Sequence, residues 1–164
     1  LITCAGYQYA GKTIDQSAKL NEILQRLPSL QQLIIVPYAR PQARAEDYRT
    51  PAHAALWSDF YTAGGEPEFV AVPFDHPLYI LYSSGTTGVP KCIVHSTGGV
   101  LLTHLKEHGL HADLSRDDCL FYYTTCGWMM WNWLVSVLAI GATAVLYDGS
   151  PFHPGPARLI DLID

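Results

Sequence analysis

A short run of glycine, hydroxyl and lysine residues at positions 82–91 holds the side chains best suited to chemistry; it reads Tyr-Ser-Ser-Gly-Thr-Thr-Gly-Val-Pro-Lys. Gly85 and Gly88 allow the backbone to approach an anion closely, and successive N–H groups can then point into one concavity. Lys91 places a full positive charge beside that concavity. Further hydroxyl donors come from Ser84, Thr86 and Thr87. This combination predicts a loop that binds a polyphosphate.

The loop differs from two widespread nucleotide-binding fingerprints. A Walker loop requires Gly-Lys-Ser/Thr at the start of a helix, whereas here Pro90 precedes Lys91 and Cys92 follows it. The dinucleotide fingerprint G-x-G-x-x-G does not occur in the sequence. Apolar, β-prone runs at residues 77–82 and 92–95 flank the loop. We therefore expect a strand–loop–strand arrangement that relies on its own amides and hydroxyls more than on a helix dipole.

The elements that must position this loop alternate along the chain. Short apolar runs typical of strands fall at residues 1–4, 33–36, 69–72, 77–82, 92–95, 119–124 and 142–147. Helices are expected at residues 15–27, 54–61, 97–111, 128–140 and 157–164, with Ser96 or Thr97 capping the third. This alternation predicts an α/β fold, a sheet of mostly parallel strands covered by helices on both faces. The run at 33–36 is apolar throughout, as in a parallel strand buried on both faces.

Composition narrows the classes of partner. The net charge is −5 and ten Lys and Arg are scattered over 164 residues, which argues against a nucleic-acid partner. The most apolar stretch, residues 128–144, is shorter than the roughly 20 residues that a membrane helix needs. We expect it to be a buried helix, and we expect no membrane partner. The four cysteines lack C-x-x-C spacing and are expected to be buried, reduced thiols of a cytoplasmic protein.

Three histidines have a spacing that could suit a metal ion. His104, His108 and His111 lie at i, i+4 and i+7 on one predicted helix, which could place their imidazoles side by side. Leucines dominate the neighbouring face of that helix. A solvated or half-buried helix face is the simpler interpretation, and no metal site is predicted.

Residues 83–91 resemble the phosphate-binding signature of the adenylate-forming superfamily, which includes acyl-CoA synthetases, luciferases and the adenylation domains of peptide synthetases. The match extends to residues 3–13, 75–84, 93–100, 124–133 and 141–149, which look most like the acetoacetyl-CoA synthetase family. The resemblance covers nearly all of the chain. It implies a subdomain of the adenylate-forming enzyme fold.

The resemblance also implies a two-step ligase reaction. A carboxylate attacks the α-phosphate of ATP to give an acyl-adenylate and pyrophosphate, and the thiol of coenzyme A then displaces AMP. The implied phosphate-binding residues are Ser83, Ser84, Gly85, Thr86, Thr87, Gly88 and Lys91, with Mg²⁺ alongside. The implied partners are small molecules, namely ATP, a short β-keto acid and coenzyme A.

An acyl and pantetheine pocket is implied around Trp128. Met129 and Met130 stand where the family's acyl-lining residues follow that tryptophan, in a segment that reads Gly-Trp-Val-Thr-Gly in acetyl-CoA synthetases. Two flexible thioethers can shape a different pocket. Plain core packing remains the alternative for Trp128, and more so for Trp131 and Trp133.

Later motifs of the superfamily do not occur in the sequence. The Tyr-Gly-x-Thr-Glu segment, the ribose-binding Asp and the lid with its catalytic Lys are all missing. Residues 1–164 are therefore expected to be part of the large N-terminal AMP-binding domain, without the C-terminal lid domain, and to be inactive alone. Two alternatives stay open: a short-chain acyl-CoA synthetase acting on acetate or propionate, and a non-catalytic nucleotide-binding or assembly module.

Overall fold

The computed structural model describes residues 1–50, 52–84 and 88–163, which form two compact units. The first unit comprises Leu1–Glu66 with Asp148–Asp164, and the second comprises Pro67–Tyr147. Both contain strands and helices, so the predicted α/β class is confirmed. No helix in the described ranges combines the length and apolar character needed to cross a bilayer.

The first unit is built on a three-stranded parallel sheet. Its elements are β1 (Ile2–Cys4), β2 (Gly6–Tyr9), β3 (Lys12–Asp15), α1 (Ser17–Leu24), β4 (Gln32–Val36), β5 (His53–Leu56) and α2 (Trp57–Phe60), with 3-10 turns at Ala45–Asp47 and Ile160–Leu162. The strand order is β1-β4-β5, with β4 in the centre and both pairings parallel. Because β4 has a neighbour on each side, it carries the core of this unit.

The central strand is buried on both faces, as its uninterrupted apolar run predicted. Leu33, Ile34 and Ile35 are all buried, although adjacent side chains in a strand point in opposite directions. Helix α1 places Leu20 and Leu24, four residues apart, in the same core. Each such side chain contributes about 1.5–3 kcal/mol on complete burial.

A β-hairpin that the sequence did not suggest follows β1. Strands β2 and β3 pair antiparallel, with Tyr9 opposite Lys12. The two residues between them, Ala10 and Gly11, have φ angles of 49° and 75°. Such a turn matches the twist of a two-stranded ribbon. The apolar pattern is weak here because both strands are mostly exposed.

The hairpin is tied to the end of the central strand through one arginine. Nη1 of Arg40 donates to Oδ1 of Asp15 at 2.7 Å and also to the hydroxyl of Ser17. The backbone N–H of Ser17 donates to the same carboxylate oxygen at 2.8 Å. These donors, the Ser17 backbone N–H first, hold the pKa of Asp15 below its usual value. These bonds hold the end of β3 and the start of α1 together, and so set the direction in which α1 follows the hairpin.

The second unit begins with an antiparallel hairpin and ends with a parallel strand pair. Its elements are β6 (Pro77–Ser83), β7 (Lys91–Ser96), α3 (Thr97–Lys106) with a π-helical turn at Glu107–His111, β8 (Cys119–Phe121), α4 (Met129–Val135) with a 3-10 turn at Ser136–Ile140, and β9 (Thr143–Val145). Strands β6 and β7 pair antiparallel, whereas β8 and β9 pair parallel. Helix α4 is the crossover between the last two strands.

Helix α3 begins without the side-chain cap that the sequence suggested. Ser96 makes no capping hydrogen bond. Instead the backbone N–H groups of Thr97 and Gly98 donate to the carbonyls of His76 and Phe74 at 2.8 and 2.9 Å. The first free donors of the helix are therefore satisfied by the segment that leads into β6, because that segment folds back over them.

Several predicted elements are wrong in extent or type. Residues 69–72 form no strand in this unit, since Phe69 is 91% exposed and meets no partner strand among the described residues. Residues 54–61 divide into β5 and a single helical turn, α2. Residues 157–163 hold only a 3-10 turn at Ile160–Leu162. In these three segments, a short apolar run beside prolines did not distinguish a strand or helix from an irregular segment.

The predicted burial of residues 128–144 and of the thiols is also partly wrong. Leu134 and Val137 are buried, but Leu138 is 63% exposed. Three of the four cysteines, Cys92, Cys119 and Cys126, are exposed, and Cys4 is half-buried. All four lie in described ranges and none forms a disulfide. Apolar character alone did not show which face each short element turns to the solvent.

Substituting Gly11 with Ala is expected to destabilise the protein. The residue has a φ of +75°, and an added Cβ would lie 2.9 Å from Nε2 of His153. The left-handed conformation alone costs about 1–2 kcal/mol for an L-residue. Urea unfolding should therefore show a lower midpoint for Gly11→Ala. Gly109→Ala is the matched control, because an added Cβ there meets nothing within 4 Å. Equal midpoints for Gly11→Ala and wild type would contradict a strained turn.

Candidate functional site

The candidate phosphate loop is anchored by the β6–β7 hairpin. Ser83, the last residue of β6, lies directly opposite Lys91, the first residue of β7. The loop between them therefore starts and ends at one rung of the ladder. The predicted strand–loop–strand arrangement is confirmed, and the described residues of the loop, 84 and 88–90, lead into a strand and not into a helix. Lys91 is exposed, so its ammonium is available to an anion.

Of the loop itself, Ser84 and residues 88–90 are described, and all are exposed. Gly88 has a φ of +92°, in the left-handed region that glycine tolerates. The predicted contributions of Gly85, Thr86 and Thr87 lie outside the described residues. The part that is described thus offers one positive-φ glycine and one hydroxyl between the paired ends Ser83 and Lys91.

One face of the hairpin leads away from the loop. Residues directly opposite each other in an antiparallel pair point to the same face of the hairpin, and successive residues of a strand point to alternate faces. It carries the pairs Ser83–Lys91, Leu81–Ile93 and Tyr79–His95. With a rise of about 3.3 Å per residue, Tyr79 lies roughly 13 Å along the strand from Ser83.

A cavity of about 480 Å³ lies against this face, between the hairpin, α3 and the start of α4. Its volume falls within the roughly 300–1,000 Å³ that is typical of small-molecule sites. The lining combines apolar and polar side chains and, among the described residues, includes no Lys, Arg, Asp or Glu. The lining residues are Tyr79, Leu81, Val94, His95, Ser96, Gly99, Val100, Thr103, His104 and Met129.

The structure separates the three residues predicted for the acyl and pantetheine pocket. Met129, the first residue of α4, lines the cavity. Trp128 immediately precedes the helix and is 70% exposed, outside the cavity lining. Met130 is half-buried and does not line the cavity either. Sequence reasoning did not identify the remaining walls, which come from the hairpin face and α3.

His104 is the most buried polar side chain of the cavity wall. It is 8% exposed, and its Nδ1 has no hydrogen-bond partner in the described part of the chain. The ring also lines a second, smaller cavity of about 210 Å³, whose other walls are mainly apolar. His104 thus stands between two cavities in an apolar setting.

His108, one turn further along, is fully buried and held by α4. Its Nε2 lies 3.0 Å from the carbonyl oxygen of Trp133 and 2.9 Å from Oγ of Ser136. The Ser136 hydroxyl itself donates to the Trp133 carbonyl at 2.7 Å. Nε2 of His108 therefore carries a proton, because the Trp133 carbonyl oxygen can only accept a hydrogen bond. Its ring lies 6.3 Å from that of His104 and 4.5 Å from that of Trp133.

The expectation of a solvated or half-buried histidine face is therefore wrong for two of the three residues, which are fully buried or nearly so. His104 and His108 point into the unit, while Leu101 and Leu102 on the same helix are at least half exposed. Only His111 faces solvent, where Nδ1 lies 3.5 Å from Glu107. No group of three potential metal-ligating side chains occurs in residues 1–50, 52–84 and 88–163. Periodicity misled here because the buried face of α3 includes imidazoles.

The electrostatics of the cavity favour a neutral His104. Burial lowers its pKa from the ordinary value, and the nearby His108 and His95 act in the same direction. Glu107 acts in the opposite direction. Burial also raises the pKa of Tyr79, whose ring lies 5.5 Å from that of His95. Both directions favour the neutral forms of His104 and Tyr79 in the cavity wall.

Comparison with known proteins places the chain in a family. The family model described as AMP-binding enzyme matches residues 1–164. The chain belongs to the AMP-binding enzyme family. It also superimposes on the solved structure of an acetoacetyl-CoA synthetase from Streptomyces lividans with a TM-score of 0.85 at 48% identity. That match covers 94% of this chain and 23% of the other, so the predicted subdomain of the adenylate-forming fold is confirmed.

Curated relatives match nearly all of this chain. It is 46% identical over 170 residues to an acetoacetyl-CoA synthetase of Danio rerio, which covers 100% of this chain and 25% of the relative. It is 47% identical over 157 residues to a malonamoyl-CoA synthetase of Penicillium aethiopicum, covering 91% and 21%. The chain thus spans about a quarter of the length of the curated relatives it matches.

Acid is expected to destabilise this chain through His104. An unfolded histidine titrates near 6.5, and burial lowers the pKa of His104 in the folded state. Between those two values the unfolded chain binds a proton that the folded chain does not. Stability therefore falls as the pH drops below about 6.5 and levels off below the folded-state pKa.

The measurement is the free energy of unfolding in urea at about pH 8 and about pH 5.5, on either side of the unfolded pKa. His104→Asn should reduce the difference between the two pH values. His111→Asn, at the exposed end of the same helical segment, should leave it unchanged. A pH dependence that is identical in His104→Asn and wild type would count against the burial argument.

Proposed function

We propose that this chain forms the ATP-phosphate-binding part of an enzyme that ligates acetoacetate to coenzyme A through an acyl-adenylate. In this proposal residues 1–164 belong to the N-terminal AMP-binding domain of a cytoplasmic ligase. The observation that carries it is the β6–β7 hairpin, which sets Lys91 opposite Ser83 at the base of a glycine- and hydroxyl-rich loop. Family membership and the named relatives support the same assignment.

In the first step the loop residues would bind and orient the nucleotide. Ser83, Ser84 and Lys91 would hold the β- and γ-phosphates, together with Gly85, Thr86, Thr87 and Gly88. The Lys91 ammonium offsets negative charge that must leave with pyrophosphate, and the loop amides donate to phosphate oxygens. The acid's carboxylate oxygen attacks the α-phosphorus, the bond to the bridging oxygen breaks, and pyrophosphate departs. Most of the rate gain in such a step comes from positioning and charge stabilisation.

Mg²⁺ is best treated as part of the substrate, MgATP. The loop offers hydroxyls and a cation but no carboxylate, and Mg²⁺ prefers carboxylate and phosphate oxygens. The described residues contain no cluster of three side chains suited to a metal ion. We therefore propose that the phosphate oxygens of ATP, and not the described side chains, supply the ligands of the ion.

The acyl group would occupy the cavity beside Met129. It lies on the hairpin face that leads away from the phosphate loop, so a carboxylate directed towards Ser83 and Lys91 would place the rest of the acid inside it. The relatives are named for acetoacetyl and malonamoyl groups, both of which are short and carry a carbonyl oxygen on the third carbon. In the second step the coenzyme A thiol attacks the acyl carbon and AMP leaves. Trp128 and Met130 would border the pantetheine path.

Replacing Lys91 with Ala should weaken ATP binding by about 10- to 100-fold, as expected for losing a hydrogen bond to a charged group. The measurement is the KM for ATP in ATP–pyrophosphate exchange by the full-length gene product. Lys106→Ala is the matched control, because Lys106 lies on α3 and pairs with Glu107 at 2.8 Å. Unchanged ATP affinity in Lys91→Ala would contradict the assigned role.

The substrate assignment is tested by the same exchange reaction with acetoacetate, acetate and propionate. Acetoacetate should give the highest kcat/KM. A preference for acetate or propionate would favour a different short-chain acyl-CoA synthetase. Tight ATP binding without exchange for any acid would favour a non-catalytic nucleotide-binding module.

A further inference from the structure

Two adjacent glycines stand in the first turn of α3, and packing accounts for only one of them. Glycine is a poorer helix former than alanine, so a glycine in a helix calls for a reason. At Gly98 an added Cβ would overlap the ring of Phe74, which explains the missing side chain. At Gly99, apart from neighbouring backbone, an added Cβ would approach only one atom within 4 Å in the described part of the chain, namely Oγ of Ser96 at 2.7 Å.

The contact with Ser96 does not by itself exclude a side chain at position 99. The Ser96 hydroxyl makes no capping hydrogen bond to α3, so no such bond would be lost if it moved. Rotation about the Cα–Cβ bond of Ser96 to another staggered position takes Oγ away from the added carbon. Packing among the described residues therefore leaves Gly99 unexplained.

Gly99 belongs to the side of α3 that faces the cavity against the β6–β7 hairpin. The residues that this segment contributes to the cavity wall recur at i, i+3, i+4, i+7 and i+8, which is the spacing of one helix face. They are Ser96, Gly99, Val100, Thr103 and His104. A side chain at position 99 would therefore project from the cavity-facing side of the helix. The glycine leaves that part of the cavity open.

Gly99 lies near the end of the hairpin that is farther from the phosphate loop. Ser96, whose hydroxyl is next to the added Cβ, pairs with Pro77 at the start of β6. Ser83 and Lys91 pair at the opposite end, beside the loop. An acid whose carboxylate meets the nucleotide near Lys91 therefore directs its distal carbons towards Gly99.

The cavity is larger than a four-carbon acid requires. Its volume of about 480 Å³ falls within the range of sites for drug-sized molecules, and acetoacetate is far smaller than such a molecule. Leu81, Val94 and Val100 supply apolar wall, and burying further methylene groups against apolar side chains is favourable. The remaining volume therefore suits an acyl chain that extends beyond the fourth carbon.

We propose that Gly99 sets the length of the acyl group by keeping the far end of the cavity open, and that β-keto acids longer than acetoacetate are therefore also substrates. The inference rests on the proposed function, since it concerns the acyl group of the same ligase reaction. A side chain at position 99 would exclude the distal carbons and leave the carboxyl end, near Lys91, untouched. Trp128 and Met130 do not share this role, because neither lines the cavity.

The test compares acetoacetate with 3-oxohexanoate, the β-keto acid that is two carbons longer, in ATP–pyrophosphate exchange by the full-length gene product. This half-reaction needs no coenzyme A, so it reports on the acyl site without the pantetheine arm. Wild type should use both acids. Gly99→Val should lower kcat/KM for 3-oxohexanoate by about tenfold relative to that for acetoacetate, the effect expected when one methylene group no longer fits.

Two further variants grade and control this result. Gly99→Ala should lower the ratio of the two kcat/KM values by less than Gly99→Val. Gly109→Val is the matched control, because an added Cβ at Gly109 meets nothing within 4 Å and the residue does not line the cavity. It should leave the ratio unchanged.

A wild type that exchanges with acetoacetate but not with 3-oxohexanoate would overturn the inference and leave the proposed function standing. An equal loss for the two acids in Gly99→Val would also overturn it, because it would show a general effect on folding. Absence of exchange with acetoacetate in the wild type would instead overturn the proposed function.

If Gly99→Val does not fold, Gly99→Ala decides the question. Alanine is the better helix former, so the urea midpoint of Gly99→Ala should not fall below that of wild type, while the ratio of the two kcat/KM values should fall. A lower midpoint would show that packing requires the glycine, and an unchanged ratio would show that position 99 does not limit the acyl group. Either result would overturn the proposal.

Discussion

The antiparallel pairing of β6 with β7 is the constraint on which the candidate site depends. The register sets Ser83 opposite Lys91 next to the loop. At steps of two residues away from the loop, it then sets Leu81 opposite Ile93 and Tyr79 opposite His95. A shift by one residue would turn every side chain of one strand to the opposite face. After such a shift, Lys91 would no longer lie opposite Ser83, and the side chains that line the cavity would no longer face α3. One set of backbone hydrogen bonds thus aligns both the charged and the apolar parts of the site.

Helix α3 supports this hairpin in an unusual way, with imidazoles on its buried side. His108 is fully buried and bonded to the Trp133 carbonyl and to Ser136, which links α3 to the segment that begins with α4. Such a directional bond inside a small core specifies one packing of the two helices more strictly than apolar contact alone. Met129, at the start of α4, is thereby held at the cavity.

The sequence was informative where one local pattern had one physical cause. The glycine-rich run between two apolar stretches predicted a loop between two strands, and the unbroken apolar run of β4 predicted a strand buried on both faces. The β2–β3 hairpin was missed, because its turn is Ala10–Gly11 and its strands are exposed. Burial of His104 and His108 was missed as well. Whether an imidazole on a helix points inwards depends on partners, such as Ser136, that are 28 residues away from His108.

The first turn of α3 also depends on residues that are distant in the sequence. Ser96 and Thr97 are good capping residues by type, yet the carbonyls of Phe74 and His76 receive the free N–H groups. Gly98 matters to this arrangement, since an added Cβ would lie 2.2 Å from the Phe74 ring. The close approach of a distant segment decided the local geometry, and no pattern within residues 96–111 shows it.

Pinning both ends of the candidate phosphate loop to one rung has a consequence for the proposed nucleotide binding. Opposite residues in a ladder have Cα atoms roughly 5 Å apart, so the conformational entropy of closing this loop is lost when the hairpin folds and not when a ligand arrives. Because the strands hold Ser83 and Lys91 in register, a nucleotide bound as proposed would not have to bring the two ends of its site together. The hairpin would then act as a fixed frame for that site.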